Sequence, residues 1–323
     1  MLSGECYRLL YPREKDTAHT TTVNTPYTSI TMNWKKCKVS HGKDIKLSKI
    51  STKADEKQPD EKDLKQTLIN DIDEIAKLQN KLFAQNRESL LIILQGMDSA
   101  GKDGTIKHLM RGVNPQGVWV YSFKHPSDLE LGHDYLWRHA QKLPEHGQIT
   151  IFNRSHYENV LISKVHPEIV IAERLPAIDS IDKIDKKFWH NRYKQINHFE
   201  KSTVENGTQI LKFFLHLSKE EQCNRFLERI ENKEKHWKFS SNDIVEREFW
   251  DDYQSAYEKA LKHTSTKIAP WYIIPADDKL NAHLLLGRII LEKLRKMNPC
   301  FPPINKKEDQ LMKQAKENLK KEK

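Results

Sequence analysis

The stretch SLLIILQGMDSAGKDGTIKH, residues 89–108, decides how this chain is read: an apolar run passes straight into a glycine-bounded loop, a lysine and a helical segment. A short run rich in Leu and Ile reads as a buried parallel strand. The loop Gly96-Met97-Asp98-Ser99-Ala100-Gly101-Lys102 has the Gly-x4-Gly-Lys spacing of a phosphate-binding P-loop. Without Cβ atoms at Gly96 and Gly101, the backbone can take a tight path that aims several N–H groups at one anion beside a helix N-terminus. Lys102 adds a full positive charge. Gly96, Ser99, Ala100, Gly101, Lys102, Gly104 and Thr105 are therefore the candidate phosphate cradle.

The position after Lys102 departs from the usual pattern, since Asp103 replaces the Ser or Thr whose hydroxyl ligates magnesium. Asp98 and Asp103 supply hard carboxylate oxygens suited to a Mg2+ ion that keeps several waters. Asp103 could instead serve only as an acid in a first helical turn, where the helix dipole favours it.

Working outward, strand-like runs at 89–94, 118–123, 148–152, 209–217 and 271–274 alternate with helical stretches at 129–141, 185–205, 219–230, 243–262 and 278–296. Such alternation predicts an α/β fold, a parallel five-stranded sheet with helices on both faces. Leu64, Leu68, Ile72, Ile75, Leu78 and Leu82 recur at three and four residues and mark a long amphipathic helix, with Asp60 as candidate N-cap. Ser218 and Glu221 have capping-box spacing, and Gly207 stands just past a helix end. Residues 1–60, polar and aperiodic, read as an extended or disordered extension, 61–297 as the P-loop domain, and 298–323 as a charged tail or frayed helix.

In an open parallel sheet the reactive groups lie beyond the carboxyl ends of the strands. After the run at 148–152 come Asn153, Arg154 and Glu158. Arg154 would face the same crevice as Lys102, its planar guanidinium matched to phosphate oxygens, and Asn153 could ligate through its amide. The segment 225–245 reads as a helical lid: Arg225 and Arg229 share a helix face and could converge on one phosphate, with Lys235 and Lys238 following. Lys124 and His125 follow the second strand and are weaker candidates. Trp189, Tyr193, Trp250, Tyr253 and Tyr257 fall at helical spacings expected of core.

The composition narrows the function classes. A net charge of +9 favours a polyanionic partner, with nucleic acid and inorganic polyphosphate both fitting. Four scattered cysteines form no C-x-x-C pair, and fifteen histidines show no H-E-x-x-H spacing, so disulfide frameworks and zinc hydrolases are disfavoured. No apolar stretch approaches the length of a membrane span or a secretory signal, which makes a cytoplasmic location the default. A P-loop alone equally allows an ATP-dependent kinase acting on a nucleoside monophosphate or small molecule, and the charge alone allows a basic binding protein.

The blocks GMDSAGKDGTIKH, GVNPQGVWVYSFKHPS, IFNRSHYENVL, EKHWKFS, FWDDYQSAYEKAL and APWYIIPAD, in this order, resemble the polyphosphate kinase 2 family of P-loop phosphotransferases. The resemblance spans roughly residues 33–296. It implies phosphoryl transfer between inorganic polyphosphate and adenine nucleotides with Mg2+, no specific nucleic acid or membrane, and a cytoplasmic homodimer or homotetramer. By position, Asp98 resembles the family's catalytic and metal-associated carboxylate, Lys102 its phosphate-binding lysine, and Arg229, with Arg225 close by, its lid arginine. Asn153 and Arg154 match the second motif, and FNRSHYE is similar to the branch accepting both AMP and ADP, with Glu158 a candidate for orienting the nucleotide. Asn153, where another branch has Asp, joins Asp98 and Asp103 as a candidate metal ligand. Met32-Asn33-Trp34-Lys35-Lys36 resembles a family beginning, making Met32 a candidate translation start.

Overall fold

Eight consecutive residues of one segment, Ser89–Gly96, are all buried, which is possible only for a strand covered on both faces. The computed structural model, which describes residues 33–54 and 59–322, makes this segment β1, the centre of a five-stranded parallel sheet. The others are β2 (Val118–Ser122), β3 (Ile149–Asn153), β4 (Thr208–His216) and β5 (Trp271–Pro275), in the order β2-β3-β1-β4-β5. Leu90 pairs with Ile149 and Gln209, and Leu94 with Asn153 and Phe213. This register brings the carboxyl ends of β1 and β3 side by side, where the phosphate loop and the Asn153-Arg154 pair emerge.

The longer helices are α1 (Glu61–Gln85), α2 (Lys102–Leu109), α3 (Lys186–Glu205), α4 (Lys219–Glu231), α5 (Ser241–Glu246), α6 (Trp250–Thr264), α7 (Lys279–Met297) and α8 (Lys306–Lys321). One layer of the core joins Leu91, Ile93, Phe152, Ile210, Phe214 and Trp271 of the sheet to Tyr193 and Ile196 of α3 and Tyr257 and Leu261 of α6. Leu90, Ile92 and Leu94, which alternate with these along β1, are equally buried. The opposite layer holds α1 against α7, tied by Arg288–Asp71 at 2.9 Å and Arg295–Glu74 at 3.2 Å. Fully inside the α3–α6 layer, Lys212 of β4 bonds Glu200 at 2.6 Å, the Tyr157 hydroxyl at 2.9 Å and the Thr264 carbonyl at 2.7 Å. Among the described residues no helix is long and apolar enough to cross a membrane.

The strand expectations hold to within a residue at most ends. The helix expected at 129–141 is instead two single turns, Asp128–Leu131 and Trp137–Ala140. Local side-chain bonding divides it: Asp134 takes the Leu136 N–H at 2.8 Å and starts a new turn, while Ser127 and Glu130 complete a capping box on the first. The helix expected at 243–262 is broken by a 3-10 turn at Arg247–Phe249. Asp185 and Asp278 cap α3 and α7 through their side chains, whereas Asp60 at the start of α1 makes no side-chain cap. At Ser218 only half of the expected capping box forms: its hydroxyl accepts from Glu221 N–H, but its own N–H goes to Asp277.

Residues 33–54 correct the expected start of the packed domain. Val39 donates to the Trp271 carbonyl at 2.9 Å, Lys38 bridges to Tyr272, and Val39 and Leu47 are buried. Val39 anchors the segment on β5, and Leu47 anchors it where its backbone meets Glu258 of α6 and His216 of β4, a spacing that no periodicity announced. The remainder of the expected extension, residues 1–32 and 55–58, with the candidate start Met32, lies outside the described residues. At the other end, 306–321 is a helix with an Asn305/Glu308 capping box and no buried residue.

Candidate active site

Gly96, at the end of β1, leaves no room for a Cβ between the loop and β4. A Cβ there would stand 3.0 Å from the Ala100 Cβ and 3.1 Å from both the Cβ and the carbonyl oxygen of Leu215. The loop then turns through two left-handed residues, Ser99 at φ 63° and Gly101 at φ 99°, and Gly101 caps α2. A helix leaves its first N–H groups without internal partners, and those of Gly101, Lys102, Asp103 and Gly104 have no acceptor among the described residues. Thr105, buried behind them, closes the first turn by donating to the Gly101 carbonyl at 2.9 Å.

The loop's carbonyls from Gly96 to Ala100 all accept from side chains. Lys102 Nζ donates to Gly96 O at 2.7 Å and Met97 O at 3.2 Å. Gln222 of α4 donates to Asp98 O at 3.0 Å, and Arg225 to Ser99 O and Ala100 O, each at 3.1 Å. What remains without a partner on the loop backbone is a rim of N–H groups, the polarity an anion needs.

Around this rim stand the charged side chains. Arg154, itself left-handed at φ 62°, turns back from β3 to bond Asp98 at 2.8 Å. A non-glycine residue in this region carries about 1–3 kcal/mol of strain, and such strain concentrates at functional sites. Glu158 and Asp98 favour the charged form of Arg154 and raise its pKa against the opposing effect of burial. Burial, then the Arg154 charge, lowers the pKa of Lys102, with Asp98, Glu158 and Asp103 offsetting part of this. Burial pushes the Glu158 carboxyl up, with Arg154 and Lys102 opposing. Asp98, Arg154, Glu158, Asp243, Tyr253 and Tyr257 line one cleft.

Asp103 accepts from Asn153 Nδ2 at 2.8 Å and from Lys238 Nζ at 3.1 Å. Burial opposes its ionisation, but these two bonds hold its carboxyl below the usual range. The Asn153 amide oxygen is buried with no partner among the described residues. Asp98, Asp103 and that oxygen form a hard donor set; no group of three or more His, Cys, Asp and Glu makes a closed metal cage among the described residues. An ion held by one or two carboxylates, waters and substrate phosphates needs no such cage, so the residues fit Mg2+.

The lid residues divide. Arg229 reaches the loop, donating to Ser99 Oγ at 2.8 Å, to Asp243 Oδ2 at 3.0 Å and to the Lys238 carbonyl at 3.1 Å. Arg225 does not converge with it on a phosphate. It is buried, and all five of its N–H groups are taken, by Glu221 and four carbonyls. Lys235 does not bond the loop: its ammonium pairs with Glu228 of α4. Lys124 is exposed, with only its carbonyl bonded, to Arg138, and His125 bonds its neighbour Pro126. Trp250, Tyr193 and Tyr257 are buried and Trp189 and Tyr253 pack on the same core cluster.

Sequence reasoning missed Gln222, Asp243, Glu246 and Arg247. Arg247 donates to Gln222 at 2.9 Å, and Glu246 accepts from Tyr253 at 2.7 Å and pairs with His166 at 2.9 Å. Gln222 had a signal: with Arg225 and Phe226 it occupies the i, i+3, i+4 face that α4 buries, where a polar residue needs a partner.

An amide-rimmed loop after the first core strand, a lysine on α2, an arginine across the crevice and an arginine-bearing lid define a P-loop phosphotransferase. Residues 57–302 match the family described as Polyphosphate kinase 2. The chain is 47% identical to an ADP-polyphosphate phosphotransferase of Rhodopseudomonas palustris, over 85% of this chain and 95% of that one. It is 44% identical to an AMP/ADP-polyphosphate phosphotransferase of Meiothermus ruber, over 71% and 80%. The crystal structure of polyphosphate kinase 2 from Arthrobacter aurescens superposes with a TM-score of 0.76 at 36% identity, covering 84% of this chain and 91% of that one. The chain belongs to the polyphosphate kinase 2 family.

Proposed function

We propose that this protein transfers the terminal phosphoryl group of inorganic polyphosphate to AMP and ADP. The observation that carries the reading is the convergence of Lys102, Arg154 and Arg229 on a loop whose unpartnered backbone groups are N–H, next to an acid- and tyrosine-lined cleft. Family membership and the substrates named for the two relatives support it.

In the proposed reaction a terminal oxygen of the nucleotide attacks the end phosphorus of the chain in line. One P–O bond forms, the anhydride P–O bond to the next phosphate breaks, and the chain leaves one unit shorter. One anhydride replaces another whether AMP or ADP is the acceptor, so the step is reversible. Phosphoryl transfer asks chiefly for positioning and charge stabilisation. The loop amides and Lys102 hold the transferred group, Arg154 spans the crevice to the incoming oxygen, and Arg229 closes over both while the lid excludes water. Asp98, Asp103 and Asn153 are the residues that would hold Mg2+, which when bound neutralises charge on the phosphate oxygens. A homodimer or homotetramer in the cytoplasm belongs to the same reading.

The test supplies AMP or ADP with polyphosphate and no ATP, and follows nucleotides by chromatography. Formation of ADP and ATP is the expected result. Product only when ATP replaces polyphosphate as donor would overturn it in favour of an ATP-dependent kinase.

A further inference from the structure

Five consecutive carbonyls, Gly96 to Ala100, accept from side chains, the first two from Lys102 and the last three from α4. We propose that Arg225, assisted by Gln222 one turn earlier, is the positioning residue that sets the polarity of the phosphate loop, and that it does not itself touch the ligand. The inference rests on the reading of the loop as a phosphate cradle.

The hydrogen-bond inventory of the guanidinium decides against a ligand role. It has five N–H groups. Nε goes to Glu221 at 2.8 Å, one terminal nitrogen to Ser99 O and Ala100 O, and the other to Ala276 O at 2.6 Å and Asp277 O at 3.1 Å. None is left for a phosphate.

What the clamp does follows from peptide geometry. The C=O and N–H of one planar peptide point in opposite directions. Fixing Ala100 O on Arg225 therefore aims the Gly101 N–H to the other side, toward the free N–H groups of Lys102, Asp103 and Gly104. Fixing Ser99 O holds Ser99 in its left-handed turn, which an L-residue does not keep unaided. Released, either peptide could flip and present a carbonyl oxygen to an anion.

The clamp has a firm base. The Asp277 carboxylate takes Ser218 N–H at 2.8 Å, at the start of α4, and Thr52 Oγ1 at 2.7 Å; Asp277 N–H donates to Thr52 O at 3.0 Å. The segment docked along β5, the end of β5 and the lid helix are thus joined to the loop through one buried side chain.

The experiment compares wild type with Arg225→Lys, which keeps the charge but has three donors for five acceptors. Calorimetric binding of tripolyphosphate is read beside KM for polyphosphate and for ADP, with circular dichroism and a melt as controls. Losing charge-assisted bonds predicts tripolyphosphate binding and polyphosphate KM worse by at least about tenfold, with the ADP KM changed less than about twofold. Near-wild-type tripolyphosphate affinity, as a direct charge contact would give, overturns the proposal; so does equal worsening of both KM values, as general loosening would give. If Arg225→Lys does not fold, Gln222→Ala carries the same test, with about threefold expected and no change overturning it. Absence of tripolyphosphate binding by wild type would refute the cradle itself, a different failure.

Discussion

Replacing Gly96 by alanine tests whether the loop must lie hard against β4. The added Cβ would sit 3.0 Å from the Ala100 Cβ and 3.1 Å from the Leu215 Cβ and backbone oxygen. Carbon atoms rest at about 3.5–4.0 Å, so the loop must give by a few tenths of an ångström against a backbone atom that cannot swing aside. Overpacking of this kind costs about 1–3 kcal/mol, which for a domain of this size lowers the melting temperature by about 3–10 °C. A misplacement of about 1 Å at the reacting phosphate costs about 100-fold in kcat, so a shift of a few tenths lowers kcat by about 3- to 10-fold. Gly104→Ala is the control: it meets no atom within 4 Å and lies in α2, so its melting temperature should match or exceed wild type, by about 0.5–1 kcal/mol of helix preference. Thermal melts and ATP formation from ADP and polyphosphate, followed by luminescence, provide the readouts. Gly96→Ala with wild-type melting and turnover would refute the reasoning.

Arg229→Ala removes the lid cation and should lower kcat by about 10^3 with a smaller change in KM, measured by steady-state kinetics. Lys212→Met takes the lysine cation from Glu200 inside the core, leaving it the Tyr157 hydroxyl at 2.7 Å and His156 at 3.5 Å, and should destabilise the fold by about 3–5 kcal/mol in urea titrations. His283, stacked on His108 with ring centres 4.6 Å apart, is held down to about 4 by burial, then by His108 and Arg225, with Asp278 opposing and Lys279 adding to the effect. Its folded-state pKa lies below the ordinary 6.5, so the unfolded chain binds more protons between about pH 4 and 6.5, and stability falls as the pH drops through that window. His283→Phe should flatten that fall in pH-dependent melts without abolishing it, because burial shifts His139 and His216 the same way.

The sheet was legible because its central strands are apolar on both faces and bounded by turn residues: 89–94 and 209–217 needed no tertiary information. The cradle was legible for a related reason, since the spacing of Gly96, Gly101 and Lys102 is fixed by the path of the backbone itself. The roles of Arg225 and Arg229 were not. Helical spacing says that they share a face, but only the packing of α4 places Arg225 against loop carbonyls and Arg229 a turn further out, at Ser99 Oγ. The docking of residues 33–54 escaped notice because Val39 and Leu47 are eight residues apart with no stripe between them. The break at 132–136 escaped because an Asp side chain bonding two residues ahead leaves no mark on apolar periodicity.

The measurement that tests the central claim most directly is a crystal structure of the protein with tripolyphosphate bound. The account predicts a phosphate group on the N–H groups of Gly101 through Gly104, with Lys102 Nζ and Arg154 on its oxygens. Tripolyphosphate seated elsewhere on the protein, with that rim of amides untouched, would contradict it.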